Sequence, residues 1–307
     1  MKLIRDTKQF HMEEETAVAI GKFDGIHLGH RTLLQKILEA KNLGLKAAVF
    51  TFTPSPGTYF TGKPVEEITT REEKRTMFAK MGIDYLIEYP FDKETANLLP
   101  EDFVNHILLC NMSARLIAAG KDVSFGLGGK GDAGLLEKLG REKGFATKII
   151  PKICYEGKVI SSTYLRNVIK EGNMELAGAL MGEPYFLEGI VVKGKQLGRT
   201  MGMPTVNLLP AEEKLLPPKG VYFSTVEYEG KLYRGVTNIG RKPTVGGKNP
   251  IGAETYIYDF SKMLYGESIR VRLLHYERAE RKFESLLQLK EAIEKNIADG
   301  KEYFINL

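Results

Sequence analysis

The chain predicts two domains of different class: an α/β domain with a parallel sheet, then a small antiparallel β-barrel with a C-terminal helix packed on it. Its 307 residues exceed what one ordinary core fills. From Ala17 to about Pro151, short apolar runs alternate with longer amphipathic ones, the rhythm of βα units. Beyond Pro184 the texture becomes Gly-rich and β-branched, the rhythm of antiparallel hairpins.

In the first domain AVAIGKF, LKAAVFTF, DYLIEYP, ARLIAAG and FATKIIP give about five strands. HRTLLQKILEAKNLG, REEKRTMFAKMG, EDFVNHILLCN and GLLEKLGREKG supply amphipathic runs between them, so the crossovers should be right-handed and the architecture nucleotide-binding and Rossmann-like. Two short helical stretches follow, STYLRNVIKEG and MELAGALMG, the second stopped at Gly182 before Glu183-Pro184. That stop places the junction, giving domains 1–182 and 183–307. In the second domain YFLEGIVVKG, GVYFSTVEYEGKLYRGVTNIG, AETYIYDF and SIRVRLLHY read as strands, with Glu229-Gly230 a hairpin turn. From Phe283 to Phe304 the near-helical spacing of Leu286, Leu287, Leu289, Ile293 and Ile297 predicts an amphipathic helix that turns this stripe to the barrel.

Composition narrows the function class. At 43% hydrophobic and 27% charged the chain is globular, not disordered. The opening MKLIRDTKQFHMEEETAV lacks the apolar segment of a signal peptide, and no run approaches the ~20 apolar residues of a membrane span, so the protein is expected in the cytoplasm, off the membrane. A net charge of +5 suits polyphosphate ligands, but Lys and Arg are interleaved with Glu and Asp, unlike a nucleic-acid-binding stripe. Cys110 and Cys154, the only cysteines, are too few for a zinc site and are expected to be buried thiols. Nothing points to an obligate protein partner.

The first motif is Gly21-Lys22-Phe23-Asp24-Gly25-Ile26-His27-Leu28-Gly29-His30, between a strand and a helix. Ligands bind at that edge of an open α/β sheet. Two imidazoles beside a helix N-terminus can face nucleotide phosphates while Gly29 lets backbone approach. Such a site stabilises charge without supplying a nucleophile, which suits nucleotidyl transfer; otherwise both histidines merely cap the helix. Gly21, Phe23, Asp24 and Gly29 are the other candidate nucleotide contacts here. Ser162, Thr163 and Arg166, hydroxyls at a helix start and an Arg one turn on, form a second candidate phosphate clamp or an ordinary N-cap. Gly120 to Asp132 is a glycine-rich loop able to accept a flat ring or a nucleotide, with Asp122, Phe125 and Gly126 the candidate contacts to it; otherwise it is a turn.

The second set begins at Gly198-Arg199-Thr200-Met201-Gly202-Met203-Pro204-Thr205-Val206-Asn207. Thr205 and Asn207, two apart on an extended segment, point the same way and offer oxygen ligands to one Mg²⁺ carrying ATP phosphates. The alternative is a Pro-initiated strand whose polar side chains satisfy local backbone. Gly198 and Arg199 are candidate phosphate contacts. Glu254, in a run rich in β-formers, is the candidate base for a substrate hydroxyl; strand alternation leaves open whether it faces inward or solvent.

These segments, in this order, resemble the bacterial bifunctional riboflavin kinase/FMN adenylyltransferase family. The resemblance is carried by AIGKFDGIHLGH (19–30), LPEDFV (99–104), GKDVSFG with GKGD (120–132), ISSTYLR (160–166), GRTMGMPTVNL (198–208), GVTNIGRKPT (235–244) and ETYIYDF with LYG (254–266), covering nearly the whole chain. It implies that His27 and His30 stabilise the triphosphate during adenylyl transfer, with Ser162, Thr163 and Arg166 on a mobile nucleotide-site loop. It implies that Thr205 and Asn207 organise metal-bound ATP while Glu254 accepts the proton of riboflavin's terminal ribityl hydroxyl. The implied small-molecule partners are riboflavin, FMN and ATP, with FAD as product. Two departures stand out: Pro54-Ser55-Pro56 where the family usually has Pro-His-Pro, and Tyr256 where it often has His.

Two other readings compete. Nucleotidyltransferases of coenzyme A or NAD synthesis and aminoacyl-tRNA synthetase fragments also use a His-x-Gly-His-like element, but they leave GRTMGMPTVN and ETYIYDF unexplained. A flavin sensor would not need His27, His30, Thr205, Asn207 and Glu254 together.

Overall fold

The computed structural model describes residues 1–194, 198, 202–241 and 251–307. They form two compact units, Met1–Ser162 and Thr163–Leu307, the division falling ahead of the Gly182 junction expected from sequence.

The first unit is built on β1 (Lys2–Arg5), β2 (Thr16–Ile20), β3 (Lys46–Thr53), β4 (Tyr85–Pro90), β5 (Ala114–Gly120) and β6 (Ala146–Ile150). All pairings are parallel and the order is β1-β4-β3-β2-β5-β6. Five of these strands are the expected ones; the sixth, β1, is a four-residue edge strand with both ends exposed, too short and too polar to announce itself. β2, TAVAI, is buried at every position because helices cover both faces of a parallel sheet. The core places Phe50, Ile87, Phe103, Ile117, Leu136 and Leu139 around it. The order runs outward from β2 toward β3 and β4 on one side and toward β5 and β6 on the other, so the topological switch lies between the carboxyl ends of β2 and β5.

The cysteine expectation is corrected: both Cys110 and Cys154 are exposed. Cys110 lies near the end of the Phe103–Asn111 helical segment, whose buried face is Phe103, Val104, Ile107 and Leu108. Cys154 sits in the two-stranded hairpin of β7 (Cys154–Tyr155) and β8 (Lys158–Val159), too small to cover it.

The second unit holds β9 (Phe186–Val192), β10 (Thr205–Leu208), β11 (Gly220–Tyr228), β12 (Lys231–Arg241), β13 (Ile251–Ile257) and β14 (Ser268–Ala279). They close into a barrel of order β10-β13-β12-β11-β14-β9, antiparallel throughout. β11 and β12 are joined at Glu229-Gly230, where both residues have positive φ, 49° and 73°, the type I′ geometry that matches strand twist. Inside the barrel Ser224, Thr237 and Thr255 form a buried hydroxyl ladder with 2.8 Å links. Each satisfies its neighbour, so the ladder carries no desolvated orphan.

The Leu286–Ile305 helix packs on the outer face, where Val221, Phe223, Val236, Tyr258 and Phe304 form one cluster. Its buried stripe is Ala292, Asn296, Gly300 and Phe304, whereas Leu286 and Leu287, expected to face the barrel, are 68% and 66% exposed. Close approach decides this: a Cβ at Gly300 would collide with the Tyr258 hydroxyl, which donates to Ile297 O at 3.0 Å.

Candidate functional site

At the switch point of the first unit, β2 runs into the His motif through a backbone that bulky residues rarely adopt. Phe23, Gly25 and Ile26 have φ of 51°, 89° and 36°. Such strain persists only where surroundings enforce it. Phe23 is fully buried, with Phe78 edge-on at 5.6 Å and His30 at 5.2 Å. A Cβ at Gly21 would press on the Phe23 ring at 3.0 Å, and one at Gly29 on the His27 ring at 3.2 Å. Asp24 turns back, its Oδ1 accepting from Ile68 N at 2.8 Å, while its carbonyl accepts from Ser162 Oγ at 2.8 Å. Asp24 therefore ties the motif to neighbouring chain.

His27 caps the Leu28–Glu39 helix, its Nδ1 accepting from His30 N at 3.3 Å. With Nδ1 the acceptor, the neutral ring carries its proton on Nε2, a donor left for a ligand. His30 stacks on it, centroids 3.8 Å apart and planes 15° from parallel. Burial holds His27 down at about 4 against the pull of Asp24. Burial first, then the His27 and Lys74 charges, keeps His30 well below the usual imidazole range. Both rings are neutral at pH 7, at a helix start whose first turn holds no acidic residue.

The loop after β5 borders the same switch point. Asp122 ion-pairs loosely with Lys152 at 3.6 Å, and its charge reaches His27. Phe125 is 3% exposed and packs on Phe103 at 5.6 Å, so its ring belongs to the core. Gly126, φ 70°, lies against Pro100, whose Cα and N would be 2.6 Å from any added Cβ. Ser55 caps the Pro56–Thr61 helix, its Oγ accepting from Thr58 N at 3.2 Å. That helix and the chain after β4 bring Tyr59, Phe60 and Phe91 together at 5.3 to 5.8 Å, with Phe60 70% exposed, an aromatic surface that sequence patterning does not mark. Ser162 opens the Ser162–Glu171 helix, with exposed Thr163 and half-buried Arg166 following in it, so these residues are helical.

On the barrel, register settles the face of Glu254. Thr255 points into the hydroxyl ladder, so Glu254 points outward with Tyr256 and Tyr258. Asn207 of β10 and Asn238 of β12 lie directly opposite Glu254 on either side. Directly opposed residues share a face, so the three form one polar row. Thr205 donates from Oγ1 to Glu254 Oε1 at 2.6 Å. Asn207 is 5% exposed, beneath Gly194, whose Cβ would lie 2.5 Å from the Asn207 amide nitrogen. A Cβ at buried Gly198 would collide with Met203 O and come within 3.4 Å of Thr205 Oγ1, so glycine is required where this segment folds over Thr205. Arg199 lies outside the described residues. Asn238 belongs to none of the candidates drawn from sequence; only pairing register reveals it.

Among the described residues no cluster of three or more His, Cys, Asp or Glu could hold a metal. A hydroxyl and an amide oxygen beside one carboxylate instead fit a hard cation whose remaining ligands are nucleotide phosphates and water. Also among the described residues, no helix is long and apolar enough to cross a membrane.

Known proteins resemble both parts of the chain. Residues 9–164 match the FAD synthetase family and residues 181–304 the riboflavin kinase family. The chain is 35% identical to the bifunctional riboflavin kinase/FMN adenylyltransferase of Bacillus subtilis strain 168, over 100% of this chain and 99% of that one. It is 38% identical to the protein of that name from Escherichia coli strain K12, over 99% and 98%. Among solved structures it resembles one described as a macrolide-efflux protein from Streptococcus pneumoniae, with a TM-score of 0.83, 30% identity and 96% coverage of both chains. Carrying both family segments in one chain, it belongs to the bifunctional riboflavin kinase/FMN adenylyltransferase family.

Proposed function

We propose that this protein phosphorylates riboflavin with ATP to give FMN and ADP, then adenylylates FMN with a second ATP to give FAD and pyrophosphate. The observation that carries the reading is the Asn207–Glu254–Asn238 row with Thr205 hydrogen-bonded to Glu254. An outward carboxylate held beside oxygen donors is what a hydroxyl nucleophile and a metal-bound triphosphate require together.

In the kinase half, 183–307, Glu254 takes the proton of the ribityl hydroxyl as that oxygen attacks the γ-phosphorus. Thr205 orients Glu254, and Thr205 with Asn207 would hold Mg²⁺, which supplies charge neutralisation to the ATP phosphates. Gly198 and Arg199 contact phosphate.

In the adenylyltransferase half, 1–182, an FMN phosphate oxygen attacks the α-phosphorus. His27 and His30 hydrogen-bond the phosphates from their neutral forms, with Gly21, Phe23, Asp24 and Gly29 shaping the pocket. Ser162, Thr163 and Arg166 engage phosphate. Asp122 and Gly126 border the flavin, with the Phe125 ring supporting their loop from the core, and the exposed Phe60 cluster offers the flavin a flat apolar surface. The protein works in the cytoplasm on small molecules.

The test is chromatographic separation of flavins after incubating the purified protein with riboflavin, excess ATP and Mg²⁺. FMN followed by FAD is expected; unchanged riboflavin overturns the reading, and FMN without FAD removes its second half.

A further inference from the structure

Lys74 is a half-buried cation near the paired imidazoles. It stands one turn before Phe78 on the Arg71–Lys80 helix, so both side chains leave on one face. Phe78 meets Phe23, and Phe23 meets His30, so that face looks onto the first motif. The helix is fixed there by a Thr70–Glu73 capping box and by Asp24, which accepts from Ile68 N and Thr69 N just upstream.

Its partner is Glu67, Nζ to Oε2 3.5 Å, with side chains 15% and 26% exposed. That Oε2 is buried without a hydrogen bond, and burial pushes the Glu67 carboxyl up. The pair is loose and costly, ready to yield its cation to a stronger anion. His27 and His30, being neutral, donate hydrogen bonds but bring no charge, whereas departing pyrophosphate carries several negative charges. His30 Nδ1 is buried without a partner, and the Lys74 charge is felt at His30.

Resting on the adenylyl-transfer reading, we propose that Lys74 is the cation that receives the departing pyrophosphate, exchanging Glu67 for phosphate oxygens when ATP enters. As the FMN phosphate oxygen bonds to the α-phosphorus, the bond from that phosphorus to its bridging oxygen breaks, and the electron pair leaves with pyrophosphate. Lys74 takes part in no bond change and balances the charge.

The experiment uses the full chain with Lys74→Met, Lys74→Arg and Glu67→Gln. FAD formation from FMN and ATP is followed forward, and FAD cleavage by pyrophosphate in reverse, with Mg²⁺. Lys74→Met should lower forward kcat/KM by about 10²–10³-fold and raise KM for pyrophosphate at least tenfold. Lys74→Arg should recover most of both, and Glu67→Gln should lower KM for pyrophosphate. Absence of FAD from the wild type sinks the adenylyl-transfer reading itself. An active wild type overturns the Lys74 assignment alone if Lys74→Met retains its kcat/KM and pyrophosphate KM. So does a Lys74→Arg variant as impaired as Lys74→Met, which would mean that shape and not charge matters.

Discussion

The imidazole of His27 makes the first unit sensitive to mild acid, and His27→Gln should remove that sensitivity. In the folded chain burial holds the ring at about 4, against 6.5 in the unfolded chain. A folded pKa below the unfolded one means that the unfolded state binds the proton first, so this stability is complete above pH 6.5 and drains as pH falls toward 4. A tenfold difference in proton affinity between the two states is worth about 1.4 kcal/mol, and integrating from about pH 7 to about pH 5 gives a loss of about 2 kcal/mol from His27 alone. His30 is displaced in the same direction and adds to the slope in both proteins. Glutamine does not titrate and can still accept from His30 N. The assay is the urea midpoint of the first unit, read by hydrogen-exchange mass spectrometry on β2 and β5 peptides at both pH values. The wild type should lose about 2 kcal/mol more than His27→Gln; parallel losses, or a His27 ring proton titrating near 6.5 by NMR, would refute the argument.

Two further outcomes concern the sites and the loop beside them. Glu254→Gln keeps the shape and an acceptor for Thr205 but removes the base; riboflavin phosphorylation should fall about 10²–10⁴-fold while FMN adenylylation, measured separately, persists, and wild-type phosphorylation would exclude Glu254 as base. Gly126→Ala forces a methyl to within 2.6 Å of the Pro100 backbone at φ 70°, so stability of the first unit should drop by about 2 kcal/mol or more; an unchanged melting temperature would show that the loop moves away at little cost.

Both fold classes were legible because their periodicities differ: after Thr16 the strand reads AVAI, apolar without alternation, while the barrel strands alternate. The His motif was legible because glycines and imidazoles at a strand-to-helix junction are an unusual combination. What stayed hidden depends on long-range pairing and packing. Hydrophobic spacing alone chose Leu286 and Leu287, but the barrel selects Ala292, Asn296 and Gly300 because the helix must come close to Tyr258. The face of Glu254 and the alignment of Asn238 depend on register between strands far apart in sequence. Lys74 reads as one more charge in REEK; only the Phe78–Phe23–His30 chain of contacts shows which way it looks.

The strand order also dictates when each unit can be completed during synthesis. β1 leaves the ribosome ahead of the other strands of its sheet, yet its partner β4 follows about 80 residues later. At roughly 5–20 residues per second it waits on the order of ten seconds. The barrel repeats the delay, since β9 closes the ring only when β14, its partner nearest the C-terminus, has emerged. Each unit thus holds an unpaired strand edge through about half of its translation, and the exposed ends of β1 with its short length keep that first edge a poor template for misassembly.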